Sequence, residues 1–358
     1  MSRAAVLFGG PSPEHDISVL TGLQAVRLLA EAGREPVVIY WSKKGDWYQV
    51  GADGEAQDYA DGPPAKAREL RFVAQPQGGW FLKRRRLEVG AVLVCCHGGP
   101  GEDGTLQGAL DLAGIRYTGP NAADSALLMD KLAFGGLMDS SGFRTLPRVP
   151  VAEGGPPDFP PPYIVKPRFG GSSIGIEVVD DFETARALAR SSPHLVRGAL
   201  MEPYLEGSRD LNVAVRTYPE LQLSAIEAPQ SYRFYDYQQK YLSGGGIEGS
   251  PRELPAWLPE EMETELRGVA RRVSGLVGIR SIARIDFLER EGRLWINEVN
   301  TIPGSLSLYL WVDPPIARSE LVADLIAEAE GSPPRRFSVA GSDGAALRSA
   351  ATISSKLG

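Results

Sequence analysis

Residues 166–175 read Lys-Pro-Arg-Phe-Gly-Gly-Ser-Ser-Ile-Gly and follow an apolar run, Tyr163–Lys166, that reads as a strand. Glycines let a backbone approach an anion closely, so successive N–H groups converge on phosphate oxygens, while lysine and serine add a charge and hydroxyls. The lysine precedes the glycines, which excludes a Walker A loop. A glycine-rich turn with no ligand remains an alternative. The triplets Arg284-Ile285-Asp286 and Glu298-Val299-Asn300 form a second constellation. The outer residues of each share one face of a strand. If the two strands pair, Asp286, Glu298 and Asn300 converge, and such oxygen ligands suit Mg²⁺, which takes carboxylates together with substrate phosphates. A solvated, charged strand face is the alternative. Thr301-Ile302-Pro303-Gly304 then breaks the strand into a turn whose N–H groups can face the same place.

Two further loops carry polar groups after apolar runs. Gly9–Asp16 reads GGPSPEHD, and His97–Gly104 reads HGGPGEDG. The second places a histidine and acids where open α/β sheets bind ligands, although a polar loop with a helix-capping acid has the same appearance. His15 and His194 read as structural.

These residues need elements to position them. Ala4–Phe8, Glu35–Trp41 and Ala91–Cys96 read as buried strands, and Ile17–Ala32 has apolar residues at helical spacing with Gly33 as its cap. Strand–helix–strand alternation predicts a parallel α/β layer. Leu106–Ala113, Pro259–Gly278 and Ala317–Glu330 read as helices. Arg280–Leu288 and Leu294–Val299 read as paired strands around the turn Glu289–Arg293. The connector Val151–Pro162 is rich in glycine and proline, and 230–255 is a long loop of the functional kind.

Composition narrows the classes. The 358 residues, about 150 to a domain, suggest two or three domains. The 41 glycines and 28 prolines imply many turns, and a net charge of −7 argues against nucleic acid as a partner. The two cysteines, Cys95 and Cys96, are adjacent, which excludes a disulfide framework. No signal peptide and no run long enough to span a membrane is read, so a cytoplasmic setting is expected.

Six segments in this order, GGPSPEHDIS, HGGPGEDGTLQGALDLAGIRYTG, SALLMDK, IVKPRFGGSSIGI, FYDYQQKY and RIDF…INEVNTIPG, resemble the D-alanine–D-alanine ligase family of the ATP-grasp superfamily. The likeness spans most of residues 4–330, with 51–77 and the tail lacking a counterpart. It implies a mixed α/β and α+β protein of three domains. An N-terminal Rossmann-like, pre-ATP-grasp substrate domain covers 1–119, a central ATP-grasp subdomain 120–204, and a C-terminal ATP-grasp subdomain 205–332 with a lid at 230–255. Residues 333–358 form a partly mobile tail.

The resemblance also implies an activity: ATP-dependent ligation of two D-alanines through an acylphosphate, as in peptidoglycan precursor synthesis, on small amino-acid substrates and in a homodimer. Its alternative is a relative that joins other small amino acids or amines in secondary metabolism. By position, Lys131, Lys166 and Lys240 hold the triphosphate together with Gly170, Gly171, Ser172 and Ser173. Asp286, Glu298 and Asn300 bind two Mg²⁺, with Mn²⁺ as a substitute. Arg284 and the Gly304 N–H stabilise the oxyanion. Glu14 takes the first substrate's ammonium, beside which His97 meets its carboxylate, and Glu14, Ser172 and Tyr241 form a triad that closes the lid. Tyr241 favours D-alanine over D-lactate as acceptor. Glu202, Tyr204 and Leu205 surround adenine, and Asp210 is the ribose acid with Glu206 as its rival. Three departures stand out. Tyr309, next to Leu310 in the acceptor site, replaces a serine; GSRDLNV is one residue long; and Gly135 replaces a lysine.

Overall fold

The run RAAVLFG is buried from its second residue on, too apolar for a strand with a wet face, and it becomes the centre of a sheet. The structure is a computed structural model that describes residues 3–151, 155–230, 251–350 and 352–356. The first sheet contains β1 (Arg3–Gly9), β2 (Val37–Trp41), β3 (Trp47–Val50), β4 (Arg68–Val73), β5 (Gly79–Leu82), β6 (Arg85–Arg86), β7 (Val89–Val94) and β8 (Arg116–Tyr117). Its order is β6-β5-β4-β3-β2-β1-β7-β8. The parallel layer expected from the alternation is the β2-β1-β7-β8 portion. The expected third strand lies two residues earlier than its apolar run and is the seventh in the chain. Residues 47–86 add short antiparallel strands that are only partly buried, which hides them in a hydropathy pattern. Trp41 stacks on Trp47 with ring centres 4.6 Å apart, and Trp47 and Phe72 pack around Trp80, so aromatic burial holds this extension.

Helix α1 (His15–Glu31) starts two residues before its predicted start, because His15 is buried between Gly10 O at 2.7 Å and Tyr40 OH at 3.1 Å. The short α2 (Gly99–Glu102) and α3 (Thr105–Ala113) follow β7. Then come α4 (Ala122–Met129) and α5 (Lys131–Ser140). The second sheet, of order β11-β10-β12-β9, is antiparallel and comprises β9 (Val149–Pro150), β10 (Tyr163–Pro167), β11 (Glu177–Val179) and β12 (Ala199–Pro203), backed by α6 (Phe182–Ser191). The third, β15-β14-β13-β16-β17, comprises β13 (Arg209–Arg216), β14 (Gln222–Pro229), β15 (Arg252–Glu253), β16 (Ile282–Arg290) and β17 (Arg293–Asn300). The paired strands expected at the end of the chain are β16 and β17.

Each sheet has its own apolar core. Leu128, Phe134 and Met138 from α4 and α5 join the core of the third sheet, which α7 (Glu260–Leu276) covers. The last helix, α8 (Arg318–Gly331), returns to the first sheet and buries Leu321, Val322, Leu325 and Ile326 in its core. Among the described residues no helix is long and apolar enough to cross a membrane.

Candidate active site

The loop between β10 and β11 carries the glycine-rich segment. Strain falls on Ser172 and Ser173, whose φ of 52° and 57° put them in the left-handed region that side chains avoid. Gly171 serves a different need: a Cβ there would lie 3.0 Å from a Glu14 carboxylate oxygen. Ser172 Oγ donates to that carboxylate, so the loop after β1 and the glycine loop meet. Gly98, at φ 62°, makes room for Glu14 from the third side, since a Cβ would come within 2.3 Å of its carboxylate.

Lys131 opens α5. Asp130 caps that helix by accepting from the Leu132 and Ala133 N–H groups, and the same carboxylate takes Arg168 in a bidentate pair at 2.8 and 2.5 Å. The Lys131 ammonium therefore sits beside the glycine loop, donating to Gly170 O at 2.6 Å and pairing with Glu298 at 3.0 Å. Lys166 is buried against Glu202 at 2.7 Å, and Arg148 reaches the same carboxylate oxygen at 2.8 Å. Burial holds the Lys166 ammonium below the usual lysine pKa, which Glu202 partly offsets.

On the third sheet Asp286 and Glu298 are directly opposed across β16 and β17, and Asn300 faces Arg284. Arg284 grips Asp286 through Nε and Nη2, both at 2.7 Å, and Asn300 Nδ2 donates to Asp286 at 2.9 Å. Burial works against the Arg284 charge, yet Asp286 holds the guanidinium well above its ordinary pKa. Among the described residues no three His, Cys, Asp or Glu side chains gather as a metal site. Two carboxylates and one amide are nevertheless what Mg²⁺ takes when phosphates and water complete its shell, so the donor set fits.

Two adjoining cavities result. The larger, between the second and third sheets, is lined by Lys131, Lys166, Gly171, Ser173, Glu202, Tyr204, Leu205, Asp210, Arg284, Asp286 and Glu298. The smaller is lined by Glu14, His97, Glu102, Ser172, Asn300 and Thr301–Gly304, and the two share Lys131, Gly170, Gly171, Arg284 and Glu298. Seventeen residues given a role in the sequence analysis thus stand around one connected space. Glu206 is exposed and outside these walls, whereas Asp210 is within them. Tyr309 and Leu310 are buried and line neither cavity; the Tyr309 hydroxyl donates to Glu227 at 3.1 Å, and Arg252 stacks 4.7 Å above its ring. Lys240 and Tyr241 lie outside the described residues. Gly135 faces Arg148, whose Cδ would be 2.7 Å from an added Cβ, so its small size lets Arg148 reach Glu202.

The D-ala D-ala ligase N-terminus family profile matches residues 3–120 and the D-ala D-ala ligase C-terminus profile residues 158–327. The D-alanine–D-alanine ligase of Thermoanaerobacter sp. (strain X514) is 32% identical over 352 residues, covering 90% of this chain and 95% of the relative. The chain belongs to the D-alanine–D-alanine ligase family. Solved structures of the family agree with the fold. The Helicobacter pylori D-alanine–D-alanine ligase superposes with a TM-score of 0.73 at 26% identity, covering 93% of this chain and all of the other. The VanG D-Ala:D-Ser ligase of Enterococcus faecalis does so with a TM-score of 0.74 at 26% identity, covering 92% and 99%.

Three residues of this family member escaped the sequence reading. Glu102 is buried, and burial raises its pKa, with Glu14 adding to the effect. It accepts from the Gly98, Thr301 and Ile302 N–H groups. His97 bonds Ile302 O at 2.6 Å and Thr21 Oγ1 at 2.8 Å, and burial holds it below the ordinary histidine pKa. Thr21 falls inside the stretch with helical spacing, and Arg148 lies in no segment given a role. Only the Glu102 position, inside an acid-rich loop, carried a signal.

Proposed function

We propose that this chain ligates two D-alanine molecules to D-alanyl-D-alanine at the expense of ATP, in the cytoplasm, for peptidoglycan precursor synthesis. One observation carries the reading: the lysine- and carboxylate-lined cavity and the Glu14 cavity share Lys131, Gly170, Gly171, Arg284 and Glu298, so a phosphoryl group and a carboxylate can meet there. Transfer of this kind is mostly positioning plus neutralisation of spread charge. Lys131, Lys166, Lys240 and the 170–173 loop would hold the triphosphate. Tyr204, Leu205 and the Glu202 strand would border adenine, with Asp210 on the ribose. Asp286, Glu298 and Asn300 would hold Mg²⁺, two ions with Mn²⁺ as a substitute; the metal supplies charge neutralisation at the phosphates.

Glu14, held by Ser172, would take the ammonium of the first D-alanine. Its carboxylate, turned toward the shared wall, becomes the acylphosphate. Arg284 and the Gly304 N–H would take the oxyanion when the second amine attacks. Lys240 and Tyr241 are assigned by family likeness alone, as are the three units 1–119, 120–204 and 205–332 and the homodimer, which sedimentation checks. The alternative with other amines draws no support from the D-alanine–D-alanine ligase relative. Phosphate release from ATP with D-alanine as the only amino acid tests the proposal. No turnover at saturating D-alanine would sink it.

A further inference from the structure

The turn that presents Gly304 is strained. Ser305, Leu306 and Ser307 have φ of 49°, 50° and 49°, three successive L-residues in the left-handed region. Such a conformation persists only where its surroundings over-determine it. The restraints come from the first sheet's side of the molecule. A carbonyl only accepts, so the 2.6 Å bond to Ile302 O places the proton of His97 on Nδ1. Burial keeps the ring neutral, which leaves Nε2 as an acceptor for the Thr21 hydroxyl at 2.8 Å. A Thr21 lone pair then takes the Ser305 N–H at 3.3 Å. Ile302 O belongs to the peptide before the one that carries the Gly304 N–H, and Ser305 N to the peptide after it. Thr21 and His97 therefore pin both neighbours of that peptide, and none of these bonds uses the Gly304 N–H, which borders the Glu14 cavity.

We propose that Thr21, on α1, is a positioning residue for the reaction: through His97 and Ser305 it sets the direction of the Gly304 N–H toward the developing oxyanion. This rests on the ligase reading above. Thr21 touches no substrate, and its contribution is angular. A donor displaced by a fraction of an ångström stops serving a transition state while it still lines the pocket.

Thr21→Val keeps the branched shape and removes the hydroxyl; Thr21→Ser keeps the hydroxyl. With Thr21→Val, kcat should fall roughly 10- to 100-fold, while KM for ATP stays within about two-fold and Tm falls by no more than a few degrees, the cost of a lost buried hydrogen bond. The Ki of a phosphinate analogue of the tetrahedral adduct should rise by the same factor as kcat falls. Thr21→Ser should recover most of the loss. An unchanged kcat in Thr21→Val, a Thr21→Ser as impaired as Thr21→Val, or parallel losses in ATP binding and Tm would each overturn the proposal. The wild type in the same assay separates the two readings. Absent phosphate release with D-alanine refutes the ligase reading and this inference with it; normal release alongside an unimpaired Thr21→Val refutes the inference alone.

Discussion

Charge pairing governs the site at the residue scale. Lys166, Arg148 and Glu202 put two cations on one buried carboxylate. Replacing Glu202 by Gln leaves both cations without their counter-charge, and breaking a buried pair typically costs about 3–5 kcal/mol. Denaturant unfolding of Glu202→Gln should show a loss of that size, together with weaker ATP binding; a variant as stable as the wild type would mean that the cations are hydrated. Glu298 plays a different part. Lys131 pairs with it at 3.0 Å. In Glu298→Gln the amide oxygen can still accept from Lys131, which also keeps its bond to Gly170 O, so the variant should fold and lose essentially all phosphate release, because the carboxylate would be needed by Mg²⁺. Near-normal turnover would refute the metal assignment.

At the scale of elements, Asp130 joins α5 to the strand that leads into the glycine loop. Burial tends to raise its pKa, but the bonds from Arg168 and from the Ala133 and Leu132 N–H groups prevail, so it lies below the usual aspartate value of 3.8. The folded state thus holds its charge more firmly than the unfolded chain. Its contribution is full above the unfolded pKa and is lost as pH falls through the lower folded pKa. Asp130→Ala should cost roughly 1–2 kcal/mol near neutrality as a lost cap and pair. The gap from wild type should close in acid unfolding below about pH 4; a gap that stays constant to low pH would show that Asp130 acts by packing alone. Gly135 belongs to the same helix. Gly135→Ala should push Arg148 off Glu202, visible as a lower Tm with no change in helix content by circular dichroism.

At the scale of the molecule, α8 matters more than its position in the chain suggests. It buries four large aliphatic side chains in the first sheet's core, so a chain ending at residue 317 should not fold. A chain ending at 332 loses the Arg335–Asp111 pair at 3.2 Å, whose arginine is half exposed, and such pairs are worth about 0–1 kcal/mol. Size-exclusion and thermal scans of the two truncations test this. Metal dependence also belongs here. Asp286 is already held by Arg284 and Asn300, and Glu298 by Lys131, so no bare carboxylates repel when Mg²⁺ is absent. Chelation with EDTA should abolish turnover while moving Tm by less than about 2 °C, the equivalent of under ~1 kcal/mol for a chain of this size.

The sequence by itself determined which segments carry the chemistry. The glycine loop, the two alternating triplets and the loops after β1 and β7 were legible because glycine freedom and period-two spacing are local properties of the backbone. It also placed the strands that lie buried on both faces, where apolar residues run continuously. It missed β3 to β6, since these short, partly exposed strands leave no continuous apolar run and are held by aromatic contacts across the sheet. Only the tertiary structure decided that Arg148 and Lys166 share Glu202, that Glu102 and His97 grip the Ile302 peptide, and that Thr21 steadies Ser305 from 284 residues away. These contacts depend on sheets far apart in the chain meeting at one point, and no spacing within a segment encodes such a meeting.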